Sequence, residues 1–256
     1  MTSIRGEVDS MTSNRVAPGQ STDLLAIGQI TLIGLFVTAL VTAQLTAAKL
    51  LALPLPGELP TVGAEIVLPG AALAYALTFF ASDCYAELYG RRAAQVMVNV
   101  AFVLNFVVLA LVWSTLQAPA VDPEFADTFA AALAPSTNIV LGSLLAYLVS
   151  QNWDVYVFHW IRDYTAGKYL WVRNLASTAT SQGIDTVIFV SVAFIAAPSL
   201  LGIGEALPTD VVLSLIVGQY LLKLLIAAVD TPLVYLVVRF LRPEGIDPQT
   251  GYVLED

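Results

Sequence analysis

Apolar runs of about 20 residues, each ended by a short polar or turn-forming stretch, follow one another from residue 24 to residue 239. Wound as α-helix, such a run spans the hydrocarbon core of a bilayer. Six are predicted, at 24–49, 66–89, 93–116, 136–159, 174–198 and 211–239. Turn chemistry such as Pro54-Leu55-Pro56-Gly57 and Ala134-Pro135-Ser136 punctuates the connections. The pattern predicts an all-α integral membrane protein, a bundle of six transmembrane helices. Residues 1–22 are polar and rich in Ser, Thr and Gly, with no apolar stretch of the kind a signal peptide carries. They are expected to form a disordered cytoplasmic tail. A transmembrane domain is predicted over 23–242 and a second cytoplasmic tail over 243–256.

The charges test this count independently. Arg5 and Arg15 precede the first span, Arg91 and Arg92 lie between spans two and three, Arg162, Lys168 and Arg173 between four and five, and Arg239 and Arg242 at the end of span six. The three intervening connections hold Glu58, Glu65, Asp122, Glu124, Asp127, Glu205 and Asp210 instead. Cytoplasmic loops carry the excess of Lys and Arg. Six spans with both termini cytoplasmic place all nine of those basic residues on one side; five or seven would break the alternation.

Composition agrees with the pattern: 57% of the 256 residues are hydrophobic and 12% charged, with a mean hydropathy of +0.77. Soluble domains carry about 25% charged residues. The net charge is −9 and the bases are few and dispersed, which argues against a nucleic-acid partner. A single cysteine, Cys84, excludes an internal disulfide, and no Cys/His grouping has the spacing of a metal site. No metal, cofactor or catalytic set is expected.

Candidate chemistry lies where lipid should exclude it. An ionisable side chain inside a span is costly unless paired or hydrated, and so marks a functional position by default. Asp83 and Glu87 share a helical face in span two, about 12 and 6 Å along the helix from Arg91. Glu87 has a plainer reading as an interfacial residue paired with Arg91 or Arg92. In span five, Asn174, Ser177, Thr178, Ser181, Gln182 and Asp185 recur at the helical period, a hydrophilic stripe on an apolar helix. Such a stripe must face protein or a wet cavity. Ser and Thr there also serve as ordinary interhelical glue, which explains a midplane Asp185 poorly. Span six places Gln219, Lys223 and Asp230 on one stripe, with Lys223 level enough with Asp185 to pair with it. That pair reads equally as a fixed structural bridge or as one broken and remade during transport. Asn99, Asn105, Gln151, Asn152 and Asp154 line the same cavity or join helices, and His159 with Trp160 reads as interfacial anchoring.

These segments carry a family resemblance. "PGAALAYALTFFASDCYAELYGRRAA" (69–94) and "VRNLASTATSQGIDTVIFVSVAF" (172–194) resemble the two signatures of the queuosine precursor transporters, earlier described as vitamin uptake transporters, and "TAQLTAAKLL" (42–51) is a weaker match. Ala81, Ala86 and Leu175-Ala176 depart from the pattern. The resemblance implies import, across the cell membrane, of the 7-deazaguanines preQ0 and preQ1 for queuosine or archaeosine salvage. The expected substrate site combines Asp83 and Asp185 reading the base edge, Asn174, Ser181 and Gln182 adding hydrogen bonds, and Lys223 and Glu87 alongside. Tyr75, Phe79 and Tyr85 would stack on the base. Carboxylates at that depth permit proton coupling, and facilitated diffusion with trapping inside the cell fits as well. A homo-oligomer is compatible with the sequence. A rival reading is the substrate-binding membrane subunit of an ATP-driven vitamin uptake system. Another, from a different class, is an intramembrane enzyme, for which no nucleophile or metal set stands out.

Overall fold

The computed structural model describes residues 18–59, 63–165 and 170–241. The first apolar run forms helix α1 (Pro18–Thr46), and a hairpin of β1 (Leu50–Leu59) and β2 (Gly63–Pro69) follows. Helices α2 (Ala72–Tyr89), α3 (Arg91–Leu116), α4 (Pro123–Leu133) and α5 (Ser136–Tyr164) come next. Then α6 (Leu170–Ser191) runs through a π-helical turn (Val192–Ala196) into α7 (Ala197–Leu201), and α8 (Thr209–Leu241) closes the chain. Among the described residues, five stretches are long and apolar enough to cross a membrane: Ala26–Thr46, Arg91–Leu116, Pro123–Tyr164, Leu175–Leu201 and Thr209–Phe240. The sixth long helix, α2, is not among them. It has 18 residues, a length of about 27 Å, and Asp83 and Glu87 dilute its apolarity.

Two local features differ from the sequence reading. Where the sequence predicts a connection followed by the start of span two, Leu50–Leu59 and Gly63–Pro69 pair antiparallel, Leu50 with Pro69 and Leu53 with Ile66. The connection after α3 contains a further short helix, α4, capped by the Asp122 carboxylate, which accepts from the backbone N–H groups of Glu124 and Phe125. Lys49, read as the end of span one, lies beyond the helix in the turn leading to the hairpin.

Apart from the charges inside the bundle, the described charges collect towards two ends. At one end the start of α1 meets the end of α2, where a Cβ on Gly28 would stand 2.9 Å from the Tyr89 hydroxyl. Arg91 and Arg92 follow directly through Gly90, whose φ of 88° makes the single-residue turn between α2 and α3. The other end gathers the hairpin, α4, the start of α5 and the 202–208 loop around one cavity, and its charges are Lys49 and the acids.

Each end has its own apolar core. Leu32, Phe36, Cys84, Tyr85, Met97, Val234 and Val238 pack at the Arg91 end. Ala47, Ala71, Ile139, Ala146, Phe189, Val190 and Leu215 pack at the hairpin end. The outward surface is apolar too: Leu73, Leu111, Leu225, Tyr235 and Phe240 are exposed, as lipid contact requires.

The most extensive helix pairing joins α5 to α6, and small residues let these helices approach. Pro198 cannot donate to the carbonyl of Phe194, which instead accepts from the N–H of Leu207 at 2.9 Å. At the same turn Ala193 presses on Gly142, where an added Cβ would meet the Ala193 Cβ at 2.9 Å. Gly142→Val should therefore overpack this crossing and cost about 1–3 kcal/mol, read as an earlier unfolding transition in detergent; an unchanged transition would show that the crossing yields freely.

Candidate functional site

Between the two apolar cores lies a cavity of about 250 Å³. Its walls come from α1, α2, α3, α5, α6 and α8, so it occupies the middle of the bundle. Its charged feature is the pair expected from helix depth: Lys223 Nζ of α8 stands 2.5 Å from Asp185 Oδ2 of α6. The ammonium side chain is only 3% exposed and the carboxylate 17%, so Asp185 is the wetter partner. The second carboxylate oxygen accepts from the Ser150 hydroxyl of α5 at 3.2 Å. Lys223 also lies 5.5 Å above the ring centroid of Tyr75 in α2, within cation–π range. Four helices thus converge on one ion pair.

Aromatic rings form much of the remaining wall. Tyr75 and Phe79 meet edge to face at 4.9 Å, and Phe102 stacks on Tyr147 at 4.5 Å. The Tyr147 hydroxyl donates to Asn99 at 2.8 Å and accepts from Gln95, which fixes its ring against the cavity. Four glutamines line the same space: Gln44 of α1, Gln151 of α5, Gln182 of α6 and Gln219 of α8. The carbonyl oxygens of Gln44, Gln182 and Gln219 are buried without a hydrogen-bond partner. A buried acceptor left unanswered costs about 1–3 kcal/mol, and such groups call for a specific explanation. Amides around one cavity offer donors and acceptors to a flat, hydrogen-bonding guest.

The structure brings Tyr75, Phe79, Gln182, Asp185 and Lys223 together at this cavity. It does not bring Asp83, Glu87 or Ser181 there. Ser82 lines the cavity, but Asp83 is set about 100° further round α2, exposed, with its carboxyl in hydrogen-bonding reach of Asp230 on α8. Glu87 is exposed one turn further on. Ser181 is buried and donates to Asp154 of α5 at 3.2 Å, an interhelical bridge. Tyr85 packs in the core at the Arg91 end and accepts from Gln29 at 2.9 Å. The side chain of Asn174 lies outside the described residues. Sequence reasoning missed Gln44, Phe102 and Tyr147. An amide deep in the apolar run of α1 was the available signal for Gln44; the two rings gave none.

An apolar multi-helix bundle enclosing a polar, ion-paired cavity is the architecture of a membrane carrier, a multi-pass protein moving a small molecule. The chain belongs to the family described as putative vitamin uptake transporter, which matches residues 69–237. It is 34% identical over 166 residues to the probable queuosine precursor transporter of Bacillus subtilis (strain 168), an alignment covering 63% of this chain and 67% of that protein. Both findings agree with the resemblance carried by 69–94 and 172–194. No solved structure matches.

Proposed function

We propose that this protein imports 7-deazaguanine precursors of tRNA modification, preQ0 and preQ1, across the cell membrane, holding the base in the cavity around Lys223 and Asp185. A guanine-type edge presents a carbonyl oxygen beside a ring N–H and an amino group. An ammonium can donate to the first while a carboxylate accepts from the other two. The observation that carries the reading is this pair inside a cavity otherwise lined by glutamine amides, hydroxyls and aromatic rings. Tyr75 and Phe79 on one side and Phe102 and Tyr147 on the other offer faces for a flat ring. The volume lies below the roughly 300–1,000 Å³ of drug-sized sites, in keeping with a bare heterocycle. The Arg91 end faces the cytoplasm, by the distribution of bases, together with both termini; the hairpin end faces outward.

The decisive experiment is precursor rescue in a host that neither makes nor imports deazaguanines. Expression of this chain should restore queuosine or archaeosine in tRNA at low external precursor. Asp185→Asn keeps a carbonyl for Lys223, so the protein should reach the membrane at parental abundance while rescue is lost. Full rescue by that variant would remove Asp185 from the site.

The family description favours a second reading, a substrate-binding subunit of an ATP-driven vitamin uptake system. Purified protein alone in liposomes separates the two: the carrier accumulates labelled substrate, whereas the subunit binds it without uptake.

A further inference from the structure

A second, larger cavity of about 720 Å³ opens at the hairpin end. We propose that it is an entry vestibule that receives the same class of flat, hydrogen-bonding heterocycle, separated from the central cavity by a gate made of the hairpin base and Ile139. The proposal rests on the import reading and on the orientation given with it.

The partition is one residue thick. Ala47 lines the central cavity while its neighbours Thr46 and Ala48 line the outer one, and Pro69 and Ala71 line the central cavity while Gly70 lines the outer. Ile139 lines both. Ala47, Ala71 and Ile139 are all buried, so the passage is shut. Gly70 closes it tightly: its N–H donates to the Lys49 carbonyl at 2.6 Å, and a Cβ there would stand 2.7 Å from the Thr46 carbonyl and 2.8 Å from that of Lys49.

What closes the passage can also open it. A two-stranded hairpin has little stability of its own and takes its position from its neighbours. Here the Val67 N–H donates to the Ser214 hydroxyl at 3.2 Å, and the Val67 carbonyl sits so near Gly218 that a Cβ would lie 2.5 Å from it. Those contacts hold β2 against α8, the helix that also carries Gln219 and Lys223. Gly218 adjoins Gln219 and lies about one and a half turns from Lys223, so rearrangement around Lys223 reaches the hairpin's seat along one helix.

The vestibule wall has matching chemistry. Lys49 and Glu205 both line it. Asn138, also in the lining, donates its amide to the Ile203 carbonyl at 2.7 Å and leaves its own carbonyl buried and unanswered. A heterocycle with both N–H donors and a carbonyl finds a counterpart for each here.

Single cysteines in a Cys84→Ala parent test the partition from outside intact cells with a membrane-impermeant maleimide. Ala48→Cys should be labelled and protected by added preQ0, whereas Ala47→Cys, one residue along, should resist labelling. Equal labelling of both, or labelling of Ala48→Cys only from the cytoplasmic side, would overturn the vestibule. A disulfide in Val67→Cys/Ser214→Cys supplies the second measurement: oxidation should abolish import, reduction should restore it, and preQ0 binding in detergent should persist throughout. Unimpaired import by the oxidised protein would overturn the gate and leave the import reading standing. The labelling pattern as expected, without protection or carriage of preQ0, would instead overturn the import reading and the ligand assigned to the vestibule.

Discussion

Lys223→Met alone should destabilise the folded protein by about 3 kcal/mol, and Asp185→Leu alone by closer to 5 kcal/mol, because each strands one buried ion without its partner. The order of the two follows from wetness. Asp185 is 17% exposed and keeps the Ser150 hydroxyl when Lys223 is removed, whereas Lys223 is 3% exposed and loses its only ion-pair partner among the described residues when Asp185 is removed. The double variant strands nothing. Replacing a buried pair with apolar groups of similar size is often neutral, so Asp185→Leu/Lys223→Met should return to within about 1 kcal/mol of the parent. Denaturant titration in mild detergent reads all three. The double variant should then be folded, abundant and unable to carry substrate. A stable double variant that still transports would make the pair a brace between α6 and α8 and nothing more.

That outcome bears on how much the sequence could reveal. The apolar runs marked the long helices because bilayer thickness fixes helix length, and the depth of Asp185 and Lys223 followed from the rise per residue. Their pairing across α6 and α8 is present in the structure. The hairpin was illegible for a physical reason. Leu50–Leu59 contains Pro54 and Pro56, which read as loop punctuation, and the apolar Ile66-Val67-Leu68 merges into the run that continues as α2. Strand pairing is a relation between distant residues, and one apolar segment does not declare whether its partner is lipid, helix or strand.

The candidate site shows the same limit. Periodicity placed Asp83 and Glu87 on one face of α2 but could not say what that face meets; it is Tyr75, Thr78, Phe79 and Ser82 that line the cavity. In α6 the stripe split. Gln182 and Asp185 reach the cavity, while Ser181 joins Asp154 on α5, because a stripe spanning half a helix circumference touches two neighbours. Gln44, Gln151, Gln182 and Gln219 gain meaning only together, from four separate helices.

Removing the 2-amino group of the substrate should weaken its competition for preQ0 uptake by roughly 10–100-fold, about 1–3 kcal/mol for a buried acceptor left unanswered. The penalty comes from the Asp185 carboxylate, which accepts from the base edge. Among the described residues, Asp185 is the one carboxylate in the cavity's lining, and the amides of Gln44, Gln151, Gln182 and Gln219 stand around the same space. A base without the 2-amino group leaves part of that carboxylate's acceptor capacity unanswered by the guest. An adenine-type base is worse, since its edge reverses the order. Its ring nitrogen turns a lone pair towards the carboxylate, and its amino group meets the ammonium. Sites built around hydrogen bonds reject mismatched analogues by factors on the order of 10⁴, so adenine-type 7-deazapurines should not compete measurably. Gln182→Leu removes one acceptor and should narrow the gap between the parent base and its 2-deamino analogue, with little change in protein abundance. Equal competition by all three bases would mean that Asp185 and Lys223 do not read the edge, and that the aromatic walls alone select the cargo by shape.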